Sequence, residues 1–229
     1  MNNRVLIYIH TMKKWILLFI IICISNLSIH AQSIIVGTFN IRFDNPRDSG
    51  NLWVDRKAYV ASLIRFHDFD VFGTQEGLKH QLDDIQQQLP QYERYGIGRD
   101  DGKTKGEYSA IFYKKEKYQL IKSGDFWLSE IPDKPGFGWD ARINRICSWV
   151  QLKDNATGKT FFCFNVHFDH QGVVARKESS KLLLSKIQSI SGKDPIILTG
   201  DFNGNYVSEW YQTIATSGFL KDSFREVKY

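Results

Sequence analysis

Hydrophobic residues follow two different spacings along this chain of 229 residues. Short apolar runs bounded by glycine, proline or polar residues are typical of buried β-strands, whereas apolar residues three or four positions apart predict amphipathic helices. The first pattern predicts strands over residues 33–41, 71–74, 108–113, 118–128, 145–152, 160–167 and 195–199. The second predicts helices over residues 56–67, 78–89, 173–190 and 207–215.

The order of these elements indicates one α/β domain whose strands form two sheets. Residues 145–152 and 160–167 are typical of a hairpin closed by the turn at residues 155–158, and the strands between Tyr108 and Leu128 also have an antiparallel pattern. A Rossmann-type sheet is mostly parallel, and no GxGxxG motif follows the first strand. We therefore predict a sandwich of two mostly antiparallel sheets flanked by helices.

The first 31 residues have the pattern of a secretory signal peptide. A basic stretch begins at Met12, where translation could instead start, and precedes a nearly continuous apolar run from Trp15 to Ile24. The small residue Ala31 is at the expected cleavage position. We expect cleavage there, which leaves residues 32–229 as the domain; an uncleaved anchor is the alternative, although the run is short for a membrane span. A secreted or periplasmic protein without stable membrane insertion is expected.

Removing this leader changes what the charge implies about partners. The whole chain has 30 Lys and Arg against 25 Asp and Glu. Three of the bases and none of the acids lie in residues 1–31, so the mature part has 30 − 3 = 27 bases against 25 acids, a net charge of +2. Such a small excess does not demand a polyanionic partner such as nucleic acid.

Two cysteines remain after residue 31, Cys147 and Cys163. An oxidising compartment permits a disulfide between them. Both lie in neighbouring predicted strands, but the expected hairpin register does not place them opposite each other. The sequence therefore leaves two alternatives for Cys147 and Cys163, a disulfide or two buried free thiols.

Several segments far apart in the chain each end an apolar strand with a polar side chain. The ends of buried strands are where ligands collect in α/β proteins. Carboxylates and amides suit a hard divalent cation such as Mg²⁺, and a neighbouring imidazole can transfer a proton. The candidate side chains are those of Asn40, Glu76, His167, Asp201 and Asn203. Turn formation or helix capping is the alternative role for these residue types.

Further residues could support such a site. Glu107 could fix the tautomer of His167, or it could be a solvated loop acid. Arg145 could bind phosphate through two parallel hydrogen bonds, or it could pair with an acid of the site. His170 could bind substrate, support the site from behind or begin a helix, and Trp139 could stack on a substrate ring.

In this order and spacing, six segments resemble the endonuclease/exonuclease/phosphatase superfamily: GTFNIR, VFGTQE, GEYSAIFY, RICSW, FNVHFDH and ILTGDFN. The resemblance runs from about Ile34 to Asp222, and within the superfamily the chain is similar to a secreted bacterial branch. It implies a four-layer α/β sandwich that hydrolyses phosphoesters with an activated water. It also implies Mg²⁺ or Mn²⁺ near Glu76 and Asn40.

The same resemblance implies roles for the remaining candidates. Asp201 would orient or deprotonate the water, and Asn203 would hold the phosphate. His167 would stabilise charge or protonate the leaving group with Glu107 behind it, and Tyr108 matches a phosphate-contacting tyrosine. The substrate class stays open among nucleic acid, phospholipid head groups, and sugar or inositol phosphates, and we expect a monomer.

The resemblance has one departure. The family pattern continues after GDFN with a strand that carries an aspartate and with a final Ser-Asp-His, and neither follows before Tyr229. We therefore expect the last strands of the second sheet to be missing, with an open sheet edge and impaired hydrolysis. The alternative is a secreted protein of the same fold that binds a phosphate ligand without catalysis.

Overall fold

The computed structural model describes residues 33–227. From Ile34 onward they belong to one compact unit. The predicted signal peptide lies outside the described residues. Within residues 33–227, no helix combines the length and the apolar character that a membrane crossing requires.

The described residues form eight strands and five helices. The strands are β1 (Val36–Asn40), β2 (Val71–Gln75), β3 (Tyr92–Tyr95), β4 (Ile111–Lys114), β5 (Tyr118–Trp127), β6 (Ile146–Asp154), β7 (Thr160–His167) and β8 (Ile196–Asp201). The helices are α1 (Trp53–His67), α2 (Lys79–Gln88), α3 (Val173–Ser191), α4 (Glu209–Ala215) and α5 (Ser223–Glu226).

The strands form two mixed sheets of four strands each, in the orders β1-β2-β4-β3 and β5-β6-β7-β8. One pair in each sheet is parallel. In the first sheet α1 lies between β1 and β2, and Asn40 is opposite Gln75. In the second sheet α3 lies between β7 and β8, and His167 is opposite Asp201. Because parallel neighbours end at the same edge, each sheet presents two strand ends side by side.

Three apolar clusters separate four layers of structure. Helices α1 and α2 cover the outer face of the first sheet, and α3 covers the outer face of the second. Between the sheets, β2 and β4 pack against β5, β6 and β7 through Val71, Ile111, Tyr113, Tyr118, Val150, Leu152, Phe161 and Cys163. The predicted four-layer α/β sandwich is confirmed.

The helices follow the spacing of their apolar residues. Val60 and Ile64 of α1 are buried, as are Leu82 and Ile85 of α2, because residues three or four apart lie on one helix face. In α3, Ile187 is fully buried. The spacing therefore predicts these buried positions but makes the apolar face of α1 too wide, since Tyr59 and Leu63 are exposed.

A polar seam crosses the apolar layer between the sheets. The amide of Asn165 is fully buried, and its Nδ2 donates to the carbonyl oxygens of Thr74 at 2.8 Å and Ala110 at 3.0 Å. Its Oδ1 accepts from Gln75 Nε2 at 2.7 Å and from Thr199 Oγ1 at 3.0 Å. These bonds satisfy a costly buried group and fix the relative position of strands from both sheets.

The structure departs from the predicted elements at two strands. The sequence does not predict the strand β3, because its four residues, Tyr-Glu-Arg-Tyr, have two adjacent charges in the middle and so form neither an apolar run nor an alternating pattern. The predicted strand over residues 108–113 begins only at Ile111. Tyr108 precedes it in an isolated bridge to Gly77.

Both cysteines are free and buried. Cys147 packs in the apolar cluster beside α3, whereas Cys163 packs in the cluster between the sheets. Their thiols therefore lie on opposite faces of the second sheet, and the disulfide alternative is wrong.

β1 and β8 are the outer strands of their sheets, and a cleft of about 620 Å³ runs beside both. Its walls include Val36–Thr38, the stretch from Ile196 to Gly200, and the side chains of Tyr211 and Ile214 from α4. Among the described residues no strand pairs with the free edge of β8.

Candidate functional site

One asparagine joins the strand ends of the two sheets. Nδ2 of Asn40, the last residue of β1, donates to Glu76 Oε1 at 2.9 Å and to Asp201 Oδ2 at 3.0 Å. The distance between Glu76 Oε1 and Asp201 Oδ2 therefore cannot exceed the sum of these two hydrogen-bond lengths. Side chains more than 100 positions apart in the sequence meet here because β1, β2 and β8 end at the same rim.

Glu76 is held in a fixed direction at this rim. Its backbone has φ of 64°, a left-handed conformation that is uncommon for a residue with a side chain. Oε2 accepts from the backbone N–H of Phe43 at 3.1 Å, while Oε1 accepts from Asn40. Both carboxylate oxygens therefore face the loop that follows β1.

Asp201 ends β8 and is half-buried. Burial acts to raise the pKa of this carboxyl, but the bonds from Asn40 and from the backbone N–H of Asn203 outweigh it and lower the pKa below its ordinary value. The bond from Asn203 is 3.0 Å long. The group is consequently a carboxylate at neutral pH and can accept a proton or bind a cation.

His167 lies beside this carboxylate. Its Nε2 is 3.8 Å from Asp201 Oδ2 and 3.1 Å from Asn203 Nδ2. Burial, followed by the positive charge of Arg145, lowers the pKa of His167 to about 3. The imidazole of the metal-free protein is therefore neutral at physiological pH.

Glu107 does not hold His167, which corrects the expected tautomer role. Arg99 takes both of its carboxylate oxygens, with Nη1 at 2.6 Å and Nη2 at 2.8 Å. Burial raises the pKa of Glu107, and the charge of Arg99 opposes that rise. Among the described residues His167 Nδ1 has no hydrogen-bond partner, although Glu107 and His167 line the same small cleft.

Arg145 is buried and does not present a free guanidinium to solvent. Its Nη2 lies 3.1 Å from His170 Nδ1, and its Nε lies 3.6 Å from Asp169 Oδ2. Burial and the nearby charge of Arg99 lower the pKa of Arg145 to about 10, so it stays charged at neutral pH. The structure therefore shows the alternative to phosphate binding, pairing with an acid, and Arg145 positions the exposed imidazole of His170.

The two aromatic candidates are less connected to this group. The hydroxyl of Tyr108, which is buried, donates to the Lys103 carbonyl oxygen at 3.2 Å. Trp139 is half-buried, with its backbone N–H near the carboxylate of Glu130 at 3.1 Å. No contact within residues 33–227 links its indole to the other candidates, so its stacking role stays a prediction.

The donor set suits Mg²⁺ better than a metal that requires a complete protein cage. Within residues 33–227, no group of three or more His, Cys, Asp or Glu side chains is arranged to hold an ion alone. Two carboxylates converge on the Asn40 amide, which turns its donating Nδ2 to both and its Oδ1 to the backbone N–H of Arg42 at 2.9 Å. Mg²⁺ commonly binds one or two carboxylates while it keeps several waters. The residues present therefore fit the expected ion.

The family model for the Endonuclease/Exonuclease/phosphatase family matches residues 37–226. The chain belongs to this family. A mannosyl-6-phosphatase of Bacteroides thetaiotaomicron is 46% identical with a TM-score of 0.83, over 85% of this chain and 74% of that one. A family protein of Bacteroides vulgatus is 49% identical with a TM-score of 0.78, over 80% of this chain and 70% of the other.

Curated relatives are more distant. An uncharacterised protein of Acanthamoeba polyphaga mimivirus is 31% identical over 165 residues, 66% of this chain and 59% of that protein. Nocturnin of Drosophila melanogaster is 28% identical over 125 residues, 52% of this chain and 18% of that protein. The human Nocturnin catalytic domain, at 20% identity and a TM-score of 0.65, shares the fold.

Family membership confirms the resemblance and the fold, whereas the secreted bacterial branch stays a prediction. The structure adds a residue that the sequence analysis missed. Arg99 binds Glu107, and the signal for it is a glycine-rich loop at residues 98–106 that returns the chain onto itself. Asp169, which the sequence leaves open as a supporting group or a helix-start residue, accepts at Oδ1 from the backbone N–H groups of Gln171 at 2.9 Å and Gly172 at 2.7 Å, in the turn before α3.

Proposed function

We propose that this protein is a secreted, divalent-metal-dependent hydrolase of phosphoesters. The observation that carries the proposal is the bridge from Asn40 to Glu76 and Asp201, with His167 beside Asp201. Family membership supports the same reaction class. A phosphoester needs a cation for its negative charge and a base for the attacking water, and this rim offers residues for both.

Glu76 and Asn40 would hold Mg²⁺ or Mn²⁺, and Asp201 adds negative charge beside them. When bound, the ion supplies positive charge to the phosphate and acidity to a water. Asp201, ionised at neutral pH, would orient the attacking water and accept its proton. Asn203 would donate to a phosphate oxygen, and His167 would stabilise charge that develops on the leaving side.

A sugar phosphate is the substrate class best supported among those that suit the site. The mannosyl-6-phosphatase of B. thetaiotaomicron is 46% identical over most of this chain. Nucleic acid is less favoured because the net charge after residue 31 is small. Phospholipid head groups and inositol phosphates share the phosphate and are separated from sugar phosphates by assay.

Binding of a phosphate ligand without hydrolysis is the second candidate. The site contains His167, and the exposed His170 contacts Arg145 at 3.1 Å. The other histidines of residues 33–227 lie on α1 and α2, where His80 is 2.9 Å from Asp44 Oδ2. The described residues therefore supply no counterpart to the second catalytic histidine that the resemblance implies.

Release of p-nitrophenol from p-nitrophenyl phosphate and bis-p-nitrophenyl phosphate, with and without Mg²⁺, tests the proposal. We expect Mg²⁺-dependent hydrolysis that Glu76→Ala abolishes and that the matched exposed variant Glu116→Ala retains. Calorimetry with Mg²⁺ and inorganic phosphate separates the two candidates. Phosphate binding without turnover supports the second, and neither binding nor turnover contradicts both.

A further inference from the structure

A cavity of about 380 Å³ adjoins the proposed metal ligands on the side of the loop that follows β1. Its lining residues are Asn40, Arg42, Phe43, Asn45, Asp48 and Glu76. Asn40 and Glu76 are shared with the rim described above. Whatever occupies this cavity therefore lies directly beside a phosphate bound at that rim.

The loop that forms the cavity is fixed from behind. Arg56 donates from Nη1 to the carbonyl oxygen of Ile41 at 2.6 Å and from Nη2 to that of Arg42 at 3.0 Å. Gln81 donates from Nε2 to the same Arg42 oxygen at 3.0 Å and accepts from the backbone N–H of Asp44 at 3.0 Å. These bonds hold the backbone in place before any ligand arrives, as in most ligand pockets.

The charge of the cavity disfavours a second phosphate. Arg42 donates from Nε to Asp48 Oδ2 at 2.6 Å, and this contact neutralises the guanidinium. The same carboxylate accepts from Asn51 Nδ2 at 3.3 Å. Arg42 is the single cation among the six lining residues, so a nucleic-acid backbone would find no free positive charge here.

The remaining groups suit neutral hydroxyls. A hydroxyl both donates and accepts, so it can bind an amide and a carboxylate together. Asn45 Oδ1 accepts from the backbone N–H of Arg47, and within residues 33–227 its Nδ2 has no protein acceptor. Asp48 offers carboxylate oxygens, and Phe43, which is 40% exposed, offers an apolar ring. An aromatic face beside planar polar groups fits the two sides of a sugar ring.

We infer that this cavity is a specificity pocket for the alcohol part of a phosphomonoester, a polyhydroxylated ring of hexose size. The inference rests on the proposed function, because the phosphate must bind at the Asn40–Glu76 rim for the sugar to reach the pocket. Phe43 packs on the ring, and Asn45 and Asp48 bind its hydroxyls. Discrimination arises because an alcohol without a polyhydroxylated ring makes neither these hydrogen bonds nor the contact with Phe43.

The test compares two non-hydrolysable ligands in the presence of Mg²⁺ by calorimetry: the methylene phosphonate analogue of mannose 6-phosphate, and methylphosphonate. For the unaltered protein we expect the sugar analogue to bind at least about tenfold more tightly. Asp48→Asn and Phe43→Leu should each lower that ratio severalfold. Asp133→Asn, at a highly exposed position, is the matched control and should preserve it.

The outcomes separate this inference from the proposed function. If methylphosphonate itself shows no Mg²⁺-dependent binding, the proposed function fails together with the pocket. Binding of methylphosphonate without preference for the sugar analogue overturns the pocket alone. Thermal unfolding checks that the two pocket variants are folded. If both folded variants still prefer the sugar analogue, the pocket is also overturned.

Discussion

The side-chain amide of Asn203 determines which nitrogen of His167 carries the proton. Asn203 Nδ2 lies 2.9 Å from the carbonyl oxygen of Phe168, which can only accept, so this atom is the donating nitrogen of the amide. The same Nδ2 lies 3.1 Å from His167 Nε2. Nε2 must therefore accept, and the ring proton of the neutral imidazole lies on Nδ1.

This arrangement predicts the titration of His167 in the metal-free protein. Nitrogen NMR with EDTA present should show a neutral ring protonated at Nδ1 between about pH 5 and pH 8, since burial and Arg145 lower its pKa to about 3. Asn203→Asp replaces the donor with a negative charge and should raise that pKa. A proton on Nε2, or a midpoint near 6.5 in the unaltered protein, contradicts the assignment.

Asn165 is expected to be among the most costly polar residues to replace. Asn165→Leu leaves the carbonyl oxygens of Thr74 and Ala110 and the amide of Gln75 without their buried partner, at a cost of about 3–5 kcal/mol. Urea unfolding measures the change in free energy. Asn155→Ala, in an exposed turn, should change it by less than about 1 kcal/mol, and a similar loss in both variants would refute the role of the seam.

Arg99 and Glu107 should depend on each other. Arg99→Met leaves a buried carboxyl without its partner and should destabilise the protein by about 3–5 kcal/mol. Adding Glu107→Leu to that variant removes the orphaned group and should recover a large part of the loss. Glu107→Leu alone completes the cycle, and losses of the two single variants that simply add up in the double variant would show that the pair is not coupled.

Asp70 links folding stability to acidity at the start of the first sheet. Oδ2 accepts from the backbone N–H of Ile35 at 3.0 Å, and Oδ1 accepts from Lys117 at 2.6 Å and Lys114 at 3.2 Å. Burial acts to raise the pKa of Asp70, but these bonds outweigh it and lower the pKa below its ordinary value.

Because the folded protein holds the ionised form, the stabilisation by Asp70 is complete above the unfolded-state pKa. It is lost as pH falls from about 4 through the lower folded pKa. Asp70→Asn should cost about 1–3 kcal/mol at pH 7 and make unfolding less sensitive to pH in this acidic range. Urea titrations at pH 7, 4 and 3 check the slope, which the exposed variant Asp133→Asn should leave unchanged.

Local patterns in the sequence predict most of this fold, and they fail where pairing is long-range. Strand and helix spacing locate the elements that carry Asn40, Glu76, His167 and Asp201, because burial imposes a period on the side chains. The same spacing does not reveal β3, whose position depends on pairing with β4. It does not reveal the Asn165 seam either, since Gln75 and Asn165 are 90 positions apart.

The candidate site was predictable in its composition and less so in its contacts. A carboxylate, amide or imidazole at a strand end is visible in the sequence, and the structure brings four such ends, those of β1, β2, β7 and β8, to one rim. The partner of each side chain depends on the conformation of the loops. Arg99 binds Glu107, which therefore does not bind His167, and Arg145 pairs with Asp169. Loop geometry of this kind has no periodic signal.

The two outer strands beside the 620 Å³ cleft have a practical consequence for handling the protein. Ile196 and Leu198 are only partly buried, and within residues 33–227 no strand pairs with the outer side of β8, where the backbone N–H of Gly200 donates to Thr38 Oγ1 at 3.2 Å. Unpaired edge strands of this kind can form β-sheet hydrogen bonds with extended segments of other chains. The sedimentation coefficient of these 229 residues should accordingly increase as the protein is concentrated.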